Sequence, residues 1–282
     1  MGNEQRFVTP LVSILIPVKN GAEFLLEAVD SCLAQKTGYR FEVVLVDDHS
    51  TDETSKIIKE LTSAHPNIRG LTNIGSGVGA ALQTGLVEAR GSIILRLDSD
   101  DRMSPKRIET QVQTLLADNQ LVMCGSQIEL FGQGSASLQA NHYPLSNSEI
   151  CRFMQWGNAF ADPSVAFRKD VAIIVGGFPT KLNGAEQYSL WLRMSKVGKV
   201  KNVPEILTSY RIHPSQFTKS RVPRVVFATI LVQILWMLGV TQLRLKLRLG
   251  LRTKLESGVG QLLIARNIPK YLMHVLIAWV RT

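Results

Sequence analysis

Asp98-Ser99-Asp100-Asp101 gathers carboxylates at the end of the apolar run Ser92-Ile93-Ile94-Leu95-Arg96-Leu97. Such a run, bounded by Gly91 before it and by charge after it, predicts a buried strand. Carboxylates leaving the end of one strand repel one another unless something positive sits between them. A hard divalent cation, Mn2+ or Mg2+, meets that need because it prefers oxygen ligands and keeps positions open for water or phosphate oxygens. Taken alone, the motif is equally consistent with a solvated acidic turn.

The elements upstream decide what such a cluster is for. Val12-Ser13-Ile14-Leu15-Ile16-Pro17 predicts a buried strand that stops at proline, followed by a helix from about Glu23 to Ala34 with Phe24, Leu25, Ala28, Val29 and Cys32 on one face. Phe41 to Val46 predicts a second strand, ending in Asp47-Asp48-His49-Ser50, and Thr51-Asp52-Glu53-Thr54 opens another helix. A short strand near Ile68 to Leu71 leads into Asn73-Ile74-Gly75-Ser76-Gly77-Val78-Gly79, and a helix from about Ala80 to Ala89 precedes the carboxylate strand. Alternation at this spacing requires a mostly parallel sheet with crossover helices. Ligands of such sheets bind beyond the carboxyl ends of the strands, where Pro17, Asp48, Gly75 and Asp98 to Asp101 all fall. Gly75, Gly77 and Gly79 lack the spacing of a dinucleotide fingerprint or a Walker loop.

With these residues in order, the chain resembles a family-2 glycosyltransferase, a nucleotide-sugar-dependent inverting enzyme. The resemblance runs from about residue 10 to 218 and is carried by Val12 to Asn20, Val46 to Thr54, Asn73-Ile74-Gly75, Ala89-Arg90-Gly91 and Leu97 to Asp101. It continues through Asp162-Pro163-Ser164-Val165-Ala166-Phe167-Arg168, Gly176-Gly177-Phe178, Ala185 to Arg193 and Tyr210 to Ser215. It implies a GT-A type, Rossmann-like α/β fold with a mostly parallel central sheet flanked by helices. It further implies that Pro17, Asp48, Asn73, Gly75 and Asp98 contact the nucleotide, and that Asp98 and Asp100, with Asp101 adjacent, bind Mn2+ or Mg2+. His213 would then be a third metal ligand or a phosphate contact, and a structural surface histidine is the plain alternative. For Asp52, and in part for Asp47, helix capping is the expected role.

Inversion needs one carboxylate to take the acceptor's proton. The resemblance places that group in an acidic pair before a Tyr-x-Leu-Trp-x-Arg helix, where this chain has Glu186-Gln187. An amide cannot accept a proton at neutral pH. Either Glu186 serves as the catalytic base, or the protein binds nucleotide-sugar without efficient transfer. Leu190, Trp191, Met194 and Val197 read as core at helical spacing.

With 282 residues and 45% hydrophobic content, the chain suffices for one large domain and an appendage. Cys32, Cys124 and Cys151 are scattered, with no zinc-like spacing, which predicts free thiols in a reducing cytosol. Met1 to Pro10 lacks the apolar core of a signal peptide. Gly132 to Asn141 reads as a loop beside the acceptor site. The formal charge of +9 divides into +10 over residues 219–282, where eleven Lys and Arg face Glu256 alone, and −1 over residues 1–218. That tail alternates with apolar runs, Val225 to Leu243 and Tyr271 to Val280, and carries Trp236 and Trp279. The expected architecture is therefore a catalytic domain over 1–218 and an amphipathic helical extension over 219–282, associated with the cytoplasmic face of an anionic membrane. Packing of these helices on the core, or dimerisation through them, is the alternative. The expected partners are a nucleoside diphosphate-sugar donor, a UDP-sugar first, and a saccharide or lipid-linked acceptor; the long aliphatic runs between the basic residues argue against nucleic acid.

Overall fold

In the computed structural model of the chain, which describes residues 12–133, 142–182, 184–214, 229, 232 and 233, strand β1 (Val12–Val18) is buried along its whole length. Its burial follows from its central place: β2 (Phe41–Asp47) pairs with it on one side and β4 (Ile93–Arg96) on the other, both parallel. A strand covered on both faces reads as a continuous apolar run, as these do. β3 (Ile68–Thr72) extends the parallel part beyond β2. The remaining strands are β5 (Arg102–Met103), β6 (Leu121–Gly132), β7 (Ala166–Arg168) and β8 (Lys199–Ile212). The full sheet runs β3-β2-β1-β4-β7-β6-β8-β5, with β7 antiparallel to both neighbours, β6 parallel to β8, and β5 antiparallel to β8.

Helices α1 (Leu25–Leu33), α2 (Thr54–Ala64), α3 (Val78–Glu88) and α4 (Arg107–Ala117) alternate with the first strands, and α5 (Asn147–Phe153), α6 (Lys169–Ile174) and α7 (Glu186–Met194) follow. Leu25, Ala28, Val29 and Cys32 of α1 are buried as their spacing predicts. Phe24 is not part of that buried face. It caps α1 and lays its ring against His213, 4.9 Å between centroids, and under the Arg211 guanidinium. Leu190, Trp191 and Met194 are core residues, and Trp191 packs on Phe167 and Phe178. Val197 is 57% exposed, because α7 ends at Met194 and the chain turns there through a bond from Val197 N to Met194 O.

Cys32 on α1 and Cys124 on β6 are free and fully buried, and burial pushes each thiol up to about 12; Cys151 is also free and partly exposed. All described residues belong to one compact unit, Met1–Gly239, and none to a second, Val240–Thr282. Val232 is buried, and the Gln233 side chain hydrogen-bonds the phenol of Tyr188 on α7, so the start of the tail packs on the α7 side of this unit. Residues 1–11, most of the loop from Gly132 to Asn141, and the rest of the tail, Trp236 and Trp279 included, lie outside the described residues. Among the described residues no helix is long and apolar enough to cross a membrane.

Candidate active site

The chain leaves β1 outward to β2 and β3, then returns to add β4 on the other side, which makes the β1–β4 boundary a switch point. Pairing between these strands stops at Leu15 and Arg96. Pro17, two residues on, has no N–H with which to extend it. The strands therefore part, and a crevice opens at their carboxyl ends.

On the β2 side of this crevice stands a closed hydrogen-bonded network. Asp48 is buried, and one carboxylate oxygen accepts from Asn73 Nδ2 at 2.6 Å while both accept from the Gly77 N–H at 3.0 Å. Lys19 adds an ion pair at 3.4 Å. Asn73 Oδ1 in turn accepts from Gly75 N (3.0 Å) and from the Thr84 hydroxyl (3.3 Å), and the Gly75 carbonyl meets His49 Nε2 at 2.9 Å. Gly77 holds φ at +90°, a conformation glycine adopts at little cost, and it starts α3. The predicted nucleotide residues Asp48, Asn73 and Gly75 thus come together, with Asp48 and Asn73 spending their polar atoms on the loop itself. Asp47 accepts from Ser50 N and the Ser55 hydroxyl, and Asp52 from Ala22 N and Thr54 N, so both brace the entry to α2.

On the β4 side, Asp98, Asp100 and Asp101 present carboxylate oxygens within 4.8 Å of one another. A turn closed by Asp101 N and Asp98 O holds them together. The end of β8 locks this turn from behind: Arg211 N donates to Asp101 Oδ1 at 2.8 Å and Arg211 Nε to the Asp100 carbonyl at 2.7 Å. Glu27 pairs with both Arg211 and Arg102, whose guanidinium groups stack on Phe131. His213 Nε2 lies 2.9 Å from Asp100 Oδ2, so the structure brings this histidine to the cluster. Burial, then the charge of Asp98, pushes the Asp100 carboxyl up, and burial with both neighbours' charges pushes Asp101 well up. Asp101 Oδ2 is buried without a partner among the described residues. Crowded oxygen donors that repel one another, one of them orphaned, fit a hard divalent cation.

Across the crevice, α7 begins at Glu186, which is 2% exposed. Its Oε2 accepts from Gly184 N at 2.7 Å. The backbone of α3 passes so close that a Cβ on Gly79 would meet the Pro179 carbonyl at 2.5 Å and Glu186 Cβ at 3.3 Å. Burial first, then the charge of Asp162, pushes the Glu186 carboxyl up to about 7. Gln187 is also buried, and its Oε1 has no hydrogen-bond partner among the described residues.

Sequence reasoning passed over three contributors. Arg96 was read as part of an apolar strand, although a charge two residues before an acidic cluster is itself a signal; its Nη2 lies 2.5 Å from Asp98 Oδ1. Asp162 is half-buried and accepts from Asn158 Nδ2 (2.8 Å) and Trp191 Nε1 (2.9 Å). Arg211 counts in the sequence only as part of the Tyr210 to Ser215 motif, two residues before His213, with no role of its own.

Residues 13–173, more than half of the chain, match the family described as Glycosyl transferase family 2. The amylovoran biosynthesis glycosyltransferase AmsE of Erwinia amylovora is 30% identical over 218 residues, 75% of this chain and 80% of that protein. Among solved structures, S. aureus TarS in complex with UDP-GlcNAc aligns with a TM-score of 0.63 at 19% identity, covering 79% of this chain and 66% of TarS 1-349. The mannosyltransferase PcManGT of Pyrobaculum calidifontis, in complex with GDP-Man and Mn2+, aligns with a TM-score of 0.62 at 20% identity over 81% of this chain. The chain spans about 65% of that solved chain's length. These likenesses are of fold, and the fold is the GT-A arrangement.

Proposed function

This chain belongs to glycosyltransferase family 2, and on that footing we propose that it transfers a sugar from a nucleoside diphosphate-sugar to a hydroxyl of a saccharide or lipid-linked acceptor, with inversion. The observation that carries the reading is the pairing of a buried, nearly neutral-tuned carboxylate, Glu186, with the triad Asp98, Asp100 and Asp101 at the switch point. The relative named for amylovoran biosynthesis supports a role in polysaccharide synthesis. The UDP-GlcNAc and GDP-Man complexes of the fold neighbours support a nucleotide-sugar donor, and we take UDP first.

The residues divide the work as follows. Pro17 ends the strand pairing and, with Gly75, flanks the nucleotide. The Asp48–Asn73 network fixes the loop against which base and ribose rest. Asp98, Asp100 and Asp101, with His213 behind Asp100, would hold Mn2+ or Mg2+, which when bound neutralises charge on the departing diphosphate. Glu186 receives the acceptor's proton as the acceptor oxygen bonds to the anomeric carbon and the bond to the diphosphate breaks. A base poised near neutrality suits that task.

Residues 1–218 form the catalytic domain in this reading. The basic extension from 219 brings the enzyme to the cytoplasmic face of an anionic membrane, where its acceptor is presented. Since Val232 and Gln233 pack on the α7 side, membrane contact is assigned to 240–282. A second reading, a nucleotide-sugar-binding homologue with impaired transfer, draws on Gln187 in place of an acid.

Calorimetric titration of UDP, GDP and dTDP, with and without Mn2+, tests the proposal. Metal-dependent binding of one nucleotide is expected, and its loss in Asp98→Ala/Asp100→Ala. Equal affinity in that variant would remove the metal-site assignment, and no binding by the intact chain would remove the donor assignment.

A further inference from the structure

Among the described residues, Phe153 and Trp156 are the only exposed Phe, Tyr or Trp side chains, at 48% and 81%. Phe153 ends α5 and Trp156 follows three residues on, in a turn closed by a bond from Trp156 N to Phe153 O at 2.9 Å, so the two rings are surface neighbours. Single exposed apolar residues are ordinary on a protein surface, but a paired Phe and Trp mark a place where something binds. The backbone beneath them is already satisfied. Met154 N donates to Ile150 O, Gln155 N to Arg152 O, and Gly157 N to Phe153 O, so the turn can leave bulk water without stranding a donor. Its charge is also of one sign. Arg152 is exposed beside the rings, whereas Glu149, the one acid of α5, is turned back onto Ser146 in the capping box at the other end of the helix.

Two contacts fix where this turn stands. The carbonyl of Met154, between the two rings in sequence, accepts from the Tyr188 hydroxyl at 2.6 Å, and the Gln233 side chain hydrogen-bonds the same phenol. The turn therefore lies beside the point where the basic extension, +10 over residues 219–282, is fastened to the domain. On its other flank Asn158 donates to Asp162, which accepts from Trp191 of α7, the helix that Glu186 begins. We propose that the Phe153–Trp156 turn is the catalytic domain's own contact with an anionic phospholipid bilayer, additional to the contact assigned to 240–282. The rings enter the interface, where an indole keeps its N–H in the wet layer and its body among the chains, and Arg152 meets the headgroups. The inference rests on the reading of the extension as membrane-associated and adds that the α7 side of the crevice is held close to the surface presenting the acceptor.

Fluorescence tests this in the full chain carrying Trp236→Phe and Trp279→Phe, which leaves Trp156 as the reporter and the fully buried Trp191 as an internal reference. Vesicles of phosphatidylglycerol and phosphatidylcholine with brominated acyl chains should shift the Trp156 emission to the blue and quench it. Adding Trp156→Phe should abolish that change. In the otherwise native chain, Phe153→Ser/Trp156→Ser should weaken binding to the unbrominated vesicles by about tenfold or more, the effect of withdrawing two partly buried rings, with the melting temperature unchanged. Emission that stays unquenched on bound vesicles, or equal affinity in the double variant, overturns the proposal while leaving the membrane role of the extension standing. Trp156 emission already blue and shielded from acrylamide before lipid is added shows the rings covered by the extension or by a second copy, and overturns it equally. If the intact chain binds no vesicles, the membrane reading itself falls, and this inference with it.

Discussion

The two sides of the crevice solve the burial of acids in opposite ways. Around Asp48 every hydrogen bond is matched: Asn73, the Gly77 N–H and Lys19 converge on one carboxylate, and Asn73 closes the loop through Gly75 and Thr84. On the β4 and α7 side, Asp101 and the amide Gln187 each bury an oxygen with no partner among the described residues, the half-buried Asp162 relies on two donors, and one guanidinium serves several carboxylates. A satisfied network costs little and holds a rigid shape. An under-satisfied one raises carboxyl pKa values, which is useful where a proton must be taken and harmful to stability elsewhere.

The contrast is most sharply tested at Glu186. Glu186→Gln should lower turnover by about 10² or more while nucleotide binding measured by calorimetry stays unchanged; activity that persists would move the proton-accepting role away from this residue. The same substitution should make the protein more stable above neutrality. The folded-state carboxyl sits at about 7 against an ordinary 4.5, so the stability this group lends is lost as pH rises through the folded value. By that linkage the variant should gain about 2–3 kcal/mol near pH 8, with no difference near pH 4, read from denaturant midpoints.

At Asp48 the sign reverses. Asp48→Asn places a donor where Asn73 and the Gly77 N–H already donate, and should cost about 1–3 kcal/mol, with weaker nucleotide affinity as the loop loosens. The smallest effect belongs to Gln187→Leu, which removes an unpaired buried oxygen and should be neutral or stabilising by up to about 1 kcal/mol. If Asp48→Asn proves neutral and Gln187→Leu harmful, the two sides have been read the wrong way round.

The parallel half of the sheet was legible from the sequence because each strand there is a long apolar run ended by a polar residue with a job. Pro17, Asp48 and Asp98 mark those ends. The far half was legible only through the resemblance, since β5 and β7 are too short to show a period of their own and β8 alternates irregularly. Phe24 followed the α1 apolar pattern yet serves the site, because a ring at a helix start can turn toward Arg211 and His213 at no loss to the core. What sequence spacing could not express was the sharing of Arg96. Its partners arrive from the turn after β4 and from the turn before β7, and only folding sums their charges.

The buried core also contains two silent reporters. Cys32 of α1 and Cys124 of β6 lie in it, both fully buried with thiols pushed up to about 12, whereas Cys151 is partly open. A thiol reagent at neutral pH therefore meets Cys151 at once and the other two only when the packing around them opens. Mass-resolved alkylation of each site would time the opening of that core against the ready access at α5, without any added probe.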